Sequence, residues 1–314
     1  MSLPGPLIAI VGPTASGKSA LAERIACQLG SPVVSVDAMQ VYRGMDIGTA
    51  KTPPARRACP LLMVDVAEVG EPYSVSIFQH DGRAVIDRIL IEGKTPVLCG
   101  GTGLYLNALV DEMNFPTGET GGESRRRYEE FARERGSQAL YEVLLDRDPE
   151  SAALIHPNNV RRVVRALELA DEGKSYAREH EGLHKRAPHY DCRIWGIERD
   201  RAELYGRIDD RVDEMFDDGL VDEIKGLCER GLASSLTASQ AIGYKEVVAY
   251  LNGDCTAEEA RETIKRRSRN YAKRQISWFR HDSRVRWIDC DSVTDEEATR
   301  LVLEDLKEHA DGTL

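Results

Sequence analysis

The clearest chemical signal in the chain is the segment Gly12-Pro13-Thr14-Ala15-Ser16-Gly17-Lys18-Ser19. It matches the pattern G-x-x-x-x-G-K-[ST], in which backbone N–H groups and a helix N-terminus surround phosphate oxygens. Lys18 supplies an ammonium group, and the Ser19 hydroxyl can ligate Mg²⁺. An apolar run, residues 7–11, precedes the segment and a helical composition follows it, as the motif requires. The segment therefore predicts a site for a diphosphate or triphosphate group.

Asp37 follows the second apolar run, residues 33–36. The carboxyl ends of parallel strands form the ligand edge of an open sheet, so this carboxylate is expected beside the phosphate site. There it could hold Mg²⁺ or accept a proton from a nucleophile. An equally good interpretation is a helix N-cap, a position that Asp also favours.

A third apolar run ends in Gly100-Gly101-Thr102-Gly103. The glycines permit close backbone approach, and Thr102 offers a hydroxyl group. This segment is expected at the same sheet edge as Asp37, although it is a weak signal by itself.

Two helical segments carry basic stripes. Arg161, Arg162 and Arg165 span one helix face, and the stretch 265–280 combines seven Lys or Arg residues with three aromatic ones. Basic side chains can neutralise nucleic-acid phosphates, and aromatic rings can stack on unpaired bases. The alternative for both is a solvated helix face.

These residues must be positioned by the secondary structure of the chain. The chain has 314 residues, 41% of them hydrophobic and 30% charged, which is typical of a globular protein. The absence of an 18-residue apolar run excludes a membrane span, and seven scattered cysteines exclude a disulfide framework. We expect a cytoplasmic monomer. The net charge of −11 disfavours nucleic acid, but residues 261–286 carry ten Lys or Arg against two acids, and residues 287–314 carry two against nine.

The order strand, phosphate loop, helix, strand predicts an α/β fold with a P-loop-type parallel sheet flanked by helices. A Gly-rich linker at 116–122 precedes a charged helical stretch, and a strand returns at 193–197. We therefore predict a discontinuous core, 1–115 and 190–314, with an inserted all-helical domain at 116–189. Within it, Asp148 and Asn158 are expected to start helices. A last helix is predicted from a capping box at Thr256 to about Phe279. One continuous α/β domain with long helices is the alternative.

Seven segments together resemble the tRNA dimethylallyltransferases, also called tRNA isopentenyltransferases, of the bacterial type. They are GPTASGKSALA (12–22), DAMQVYRGMDIGTAK (37–51), GGTGLYLNAL (100–109), HPNNVRRVVRALEL (156–169), LYGRIDDRVDEMFDDGLVDEI (204–224), QAIGYKEV (240–247) and YAKRQISWFR (271–280). The resemblance covers residues 7–288. The acidic stretch beyond it is treated as a tail of unassigned role.

The resemblance implies transfer of a dimethylallyl group from dimethylallyl diphosphate to N6 of the adenosine next to the tRNA anticodon on its 3′ side. The loop 12–19 would then bind the diphosphate with Mg²⁺, Asp37 would be the general base, and Thr102 and Lys18 would act on the leaving group. The insertion would grip the anticodon stem-loop. The implied tRNA contacts are Asp37, Ala38, Met39, Gln40, Thr102, Arg161, Arg162, Val163, Val164, Arg165, Gln240, Ala241, Ile242, Gly243, Tyr244, Lys245, Arg274 and Arg280.

The sequence departs from the family pattern at two places. Ala38 stands where Ser is frequent, which removes a hydroxyl beside Asp37, and Leu61-Leu62 stands where His-His is common. Neither departure touches the phosphate loop.

Three other functions compete with this interpretation. A P-loop kinase of a small metabolite would use Asp37 on a hydroxyl and Arg125-Arg126-Arg127 as a lid. An adenylate prenyltransferase would share the donor but need neither the insertion nor the basic helix. A non-catalytic RNA-binding regulator would have no use for the phosphate loop.

Overall fold

The computed structural model describes residues 5–115, 122–179, 187–235 and 237–311. In these ranges six strands form one sheet in which every neighbouring pair is parallel, in the order β3-β2-β4-β1-β5-β6. The strands are β1 (Leu7–Val11), β2 (Val33–Ser35), β3 (Leu61–Leu62), β4 (Val97–Gly100), β5 (Cys192–Glu198) and β6 (Val285–Asp289). The predicted parallel sheet is confirmed, and Leu61-Leu62 forms one of its two edge strands.

The sheet is accompanied by α-helices in the described ranges. They are α1 (Lys18–Leu29), α2 (Val75–Ile91), α3 (Gly103–Val110), α4 (Glu123–Arg147), α5 (Pro149–Ala153), α6 (Val160–Asp171), α7 (Arg201–Asp217), α8 (Leu220–Glu229), α9 (Tyr244–Leu251), α10 (Ala257–Arg280) and α11 (Asp295–Asp311). Gly136 interrupts α4 with a φ of 85°, so this long helix is two segments joined at a kink. The capping box of α10 is confirmed, since Thr256 and Glu259 bond reciprocally.

The sheet is buried on both faces because β1 is apolar throughout. Leu7, Ala9 and Val11 pack into one cluster of buried residues, whereas Ile8 and Ile10 pack into a second cluster with α1 and α11. Successive residues of a strand point to opposite faces, so a continuous apolar run is what a strand covered on both faces requires. Because β1 is packed on both faces, its carboxyl end, where the phosphate loop begins, is held in place.

The chain divides into two compact units, one formed by Met1–Val110 and Pro188–Leu314 and the other by Asp111–Ala187. The second unit contains α4, α5 and α6 around buried Tyr128, Leu140 and Leu144. The side chain of Arg125, predicted as a lid residue in the kinase alternative, instead forms two hydrogen bonds with Glu168, at 3.0 and 2.8 Å. Most of the predicted linker, 116–122, lies outside the described residues.

Two local predictions in this unit have different outcomes. Asp148 is an N-cap, as predicted, and accepts a hydrogen bond from Ser151 N–H. The start predicted at Asn158 is wrong by one residue, because the side chain that caps α6 is that of Asn159.

The acidic stretch after residue 287 is not a tail. Residues 285–289 form β6, and 295–311 form α11, whose Ala298 and Val302 pack with α1 in the second cluster. Two of its acids form ion pairs, Asp295 with Arg24 and Asp305 with Arg286. The acidic residues belong to α11, an amphipathic helix that the composition alone did not indicate.

No helix in the described ranges is both long and apolar enough to cross a membrane. The same residues include no group of three or more His, Cys, Asp and Glu arranged to hold a metal ion.

Candidate active site

A cavity of about 340 Å³ lies in the first unit, at the carboxyl ends of the sheet strands. It is lined by the strand-end loops, by α7 and α10, and by the segment before α9. The predicted site residues that line it are Thr14, Lys18, Ser19, Asp37, Ala38, Met39, Gln40, Thr102, Gln240, Ala241, Ile242, Gly243, Tyr244 and Arg274. Segments far apart in the sequence thus meet at one place, as expected for the ligand edge of a parallel sheet.

The phosphate loop joins β1 to α1. Gly17 has a φ of 97°, in the left-handed region that favours glycine, and α1 begins immediately after it. The Lys18 ammonium donates to the Pro13 carbonyl at 3.2 Å. Burial lowers the pKa of Lys18, and Asp37 is among the charges that oppose this effect. The loop therefore presents a half-buried cation at a helix N-terminus, where an anion is favoured.

Three arginines that sequence reasoning missed hold this loop. Arg211 donates to the Thr14 hydroxyl at 3.2 Å, Arg207 to the Ala15 carbonyl at 3.0 Å, and Arg199 to the Ser16 carbonyl at 2.8 Å. Arg211 also lines the cavity, and burial lowers its pKa. The i, i+4 spacing of Arg207 and Arg211 was the available signal, because it places both on one face of α7.

Arg199 links the phosphate loop to the C-terminal part of the chain. Its guanidinium pairs with the Asp291 carboxylate at 2.6 Å and donates to the Cys290 carbonyl at 3.2 Å. The acidic stretch therefore supports the loop, a role that its composition did not indicate.

Asp37 has one engaged and one open carboxylate oxygen. Its Oδ1 accepts hydrogen bonds from the N–H groups of Met39 at 2.9 Å and Gln40 at 3.4 Å. Its Oδ2 has no hydrogen-bond partner among the described residues. One oxygen thus caps a turn, not the helix N-terminus that the sequence also allowed, and the role of Asp37 as a proton acceptor stays a prediction.

Thr102 is joined to the Asp37 loop. Its Oγ1 accepts a hydrogen bond from Ala38 N–H at 3.1 Å. The approach requires glycine at position 100, where a Cβ atom would lie 1.9 Å from the Val36 carbonyl oxygen. Burial and the Asp37 charge raise the pKa of the neighbouring Tyr271 to about 12, so this phenol stays protonated.

Gln275 connects the phosphate loop to the 100–103 loop. Its Oε1 accepts from Thr14 N–H at 3.0 Å and its Nε2 donates to the Gly101 carbonyl at 3.0 Å. Only 5% of this residue is exposed. The bond to Gly101 is buried and the bond from Thr14 is partly buried, so losing the side chain would leave unpaired backbone groups on both loops.

The cavity also has an apolar wall, which could not be assigned from the sequence. It is formed by Ile208, Val212 and Met215 of α7 together with Ile242 and Ile264. Positions 208, 212 and 215 recur at helical spacing, and such a surface suits a small hydrocarbon group.

The basic stripe of the insertion is exposed only in part. Arg161 and Arg162 are exposed and form no ion pair within the described ranges, whereas Arg165 lies 3.7 Å from Glu168. Val163 and Val164 were expected among the tRNA contacts, but both are 0% exposed and pack into the core of this unit.

The three aromatic residues of α10 have different positions. Trp278 is 43% exposed, Phe279 is 2% exposed, and Tyr271 lines the cavity. Trp278 lies against Gly103, where a Cβ atom would meet the indole at 2.1 Å. Trp278 alone among the three has a large open face.

The basic residues of α10 are mostly neutralised. Arg280 pairs with Glu198, Arg269 with Asp209, and Arg267 with Glu246. Exposed residues without a carboxylate partner in the described chain are Arg266, Lys273 and Arg274. Of the predicted phosphate contacts on this helix, Lys273 and Arg274 remain available and Arg280 does not.

Comparison with known proteins agrees with these features. The family model IPP transferase matches residues 40–282, and the model Isopentenyl transferase matches residues 5–56. A tRNA dimethylallyltransferase of Carboxydothermus hydrogenoformans is 42% identical over 95% of this chain and 96% of its own.

Two solved structures are similar to the chain. A full-length tRNA isopentenylpyrophosphate transferase of Bacillus halodurans aligns with a TM-score of 0.72 at 40% identity, covering 98% of this chain and 97% of that one. A eukaryotic dimethylallyltransferase acting on tRNA aligns with a TM-score of 0.78 at 28% identity, covering 96% of this chain and 79% of that one.

Proposed function

The chain belongs to the IPP transferase family, and we propose that it transfers a dimethylallyl group from dimethylallyl diphosphate to a tRNA. The acceptor is N6 of the adenosine on the 3′ side of the anticodon. The observation that carries the proposal is that one cavity contains the Lys18 ammonium, the open Asp37 oxygen and the Thr102 hydroxyl. A leaving diphosphate and an amine nucleophile need these groups side by side.

The donor diphosphate is placed on the phosphate loop. Lys18, Arg211 and the N-terminus of α1 provide positive charge there, and Thr102 can donate to the oxygen that bridges diphosphate and prenyl carbon. The apolar wall of α7 receives the hydrocarbon tail. Stabilising the diphosphate as the C–O bond breaks lowers the barrier, because the allylic carbon then carries developing positive charge.

The acceptor amine needs a base because its lone pair is delocalised into the purine ring. As the N6 lone pair forms the new C–N bond, the C–O bond breaks and its electron pair leaves with diphosphate. The N6 proton passes to Asp37 Oδ2, the oxygen that the turn leaves open. The adenosine must leave its stack to enter the cavity.

Mg²⁺ fits the donor site. Ser19 places a hydroxyl in the cavity, and Mg²⁺ favours few protein oxygens combined with phosphate oxygens and water. When bound, the ion would neutralise charge on the departing diphosphate.

The tRNA is held by exposed cations, of which Arg274 also lines the cavity. We assign this role to Arg161 and Arg162 of the second unit, and to Lys273, Arg274 and Lys245 of the first. The second unit would grip the anticodon stem-loop.

The test incubates the protein with labelled dimethylallyl diphosphate, Mg²⁺ and either unmodified tRNA or AMP. Label in tRNA alone is the expected result. Label in AMP would instead identify an adenylate prenyltransferase. Phosphoryl transfer from ATP to a small metabolite, with no prenyl transfer, would identify a kinase.

A further inference from the structure

A carboxylate that does not line the cavity, that of Glu223 on α8, collects four hydrogen-bond donors. Its Oε2 accepts from the backbone N–H of Asp46 at 3.0 Å and Ile47 at 2.7 Å. Its Oε1 accepts from Gly48 N–H at 3.3 Å and from the Tyr244 hydroxyl at 2.7 Å. Consecutive backbone N–H groups that converge in this way form a concavity for an anion, and here the chain fills it with its own carboxylate.

The partners of Glu223 belong to the cavity wall although Glu223 does not. Gly48 and Tyr244 both line the cavity. The Tyr244 ring lies directly against Gly48, where a Cβ atom would be 2.5 Å from Cε2. Burial and the charge of Glu223 raise the pKa of Tyr244 well above its usual value, so the phenol remains a donor. Glu223 thereby fastens the 46–48 loop to the start of α9.

Residues 46–48, which Glu223 holds, lead directly into Thr49, and Thr49 helps to orient the Gln40 side chain. The Gln40 Nε2 donates to the Thr49 carbonyl at 3.2 Å, and its Oε1 accepts from the Ser35 hydroxyl at 2.8 Å. These two bonds define which end of the carboxamide is oxygen. One N–H and one lone pair remain for the cavity, which Gln40 lines beside Asp37.

We propose that Glu223 is a positioning residue for the acceptor: by holding residues 46–48 it fixes the Thr49 carbonyl, and through it the Gln40 carboxamide next to Asp37. A carboxamide with one open donor and one open acceptor complements an adenine edge that offers N7 and an N6 proton. Gln40 would thus aim the amine at the open oxygen of Asp37. This inference rests on the proposed function.

The first test substitutes Glu223→Gln. An amide places N–H donors among backbone N–H donors, so the loop loses part of its attachment. We expect single-turnover prenyl transfer to tRNA to fall by about 10²-fold, the cost of a small misplacement at a reacting centre. The Kd for dimethylallyl diphosphate should not change, because no group on the phosphate loop contacts Glu223. Asp222→Asn is the matched control, since Asp222 is exposed and, among the described residues, pairs only with Lys225.

The second test is a double-mutant cycle with Gln40→Ala. If Glu223 acts through Gln40, the double variant transfers the prenyl group as slowly as Gln40→Ala alone. The proposal would be overturned if the rate losses of the two single variants add in the double variant. It would also be overturned if the slower transfer by Glu223→Gln is explained by a lower Tm and weaker donor binding. If Glu223→Gln does not fold, Gln40→Ala decides: normal transfer to tRNA by that variant also overturns it. Failure of the wild-type protein to label tRNA would refute the proposed function itself, which separates the two outcomes.

Discussion

The cavity and the basic helix faces use charge in opposite ways. In the cavity, Lys18, Arg211 and Asp37 are few, half-buried and held at strand ends or on α7. On α6 and α10 the cations are numerous and mostly exposed. A charge held close to a reacting atom in a poorly solvated site acts on that atom strongly, whereas exposed charges are screened and act together. Charge count in the sequence therefore indicates little about the importance of any one cation.

Helix α10 contains both situations. Its inner side provides Tyr271 and Gln275 to the site, while its outer side carries Arg266 and Lys273. Much of its excess positive charge is cancelled by acids of α7 and α9 and of β5. The surface open to phosphate is smaller than the sequence indicates.

Asp37→Asn should have the largest effect. An amide cannot take the N6 proton, so we expect single-turnover transfer to fall by about 10²–10⁴-fold with tRNA and donor affinities retained. The matched control is Asp254→Asn, which removes an exposed carboxylate. A variant with normal chemistry at saturation and weak tRNA binding would place Asp37 in recognition only.

Lys18→Ala should rank next. Removing one preorganised charge from a leaving group costs about 10²–10³-fold in rate. Tm should hold, because the ammonium has only the Pro13 carbonyl as a hydrogen-bond acceptor in the described chain. Lys94→Ala, which removes a surface cation paired with Glu92, is expected to match wild type. Equal rates for the two variants would remove Lys18 from the donor site.

The double substitution Arg161→Gln with Arg162→Gln should have a smaller effect on tRNA affinity. We expect weaker binding for every tRNA substrate and a slope of log affinity against log salt reduced by about one unit per lost contact. Donor affinity should not change. An unaltered salt slope would mean that this stripe is a solvated face.

Arg280→Gln should have the smallest effect on tRNA binding because Glu198 already neutralises this cation. Arg274→Gln, on the same helix but without a carboxylate partner in the described ranges, should weaken binding more. Filter binding at two salt concentrations compares them directly. A larger loss for Arg280 would show that its ion pair opens to receive phosphate.

The part of the site that was predictable lies in short segments. The phosphate loop is encoded within eight consecutive residues, and Asp37 and Thr102 each follow an apolar run, so local patterns located them. The capping box of α10 was equally local. Such signals depend only on residues that are close in sequence, so they can be recognised without a structure.

The supports of the site were not predictable in the same way. Gln275 and Arg199 bond to loops that are 174 to 261 residues away in sequence. No spacing rule reports such pairs. Helix α11 was missed for another reason: its acids dominated the composition, although Ala298, Val302 and Leu306 repeat every four residues and are buried.

The strand order of the sheet has a consequence for folding during translation. Strand β1 lies between β4 and β5, yet β5 is translated only after the whole second unit, Asp111–Ala187. That unit is one continuous stretch and can finish its own helical core while β1 is paired with β4 but still lacks β5. The phosphate loop is among the first residues to emerge, but Arg199, Arg207, Arg211 and Gln275 all come later. For most of its synthesis the nascent chain therefore contains the phosphate loop but lacks the side chains that hold this loop in place.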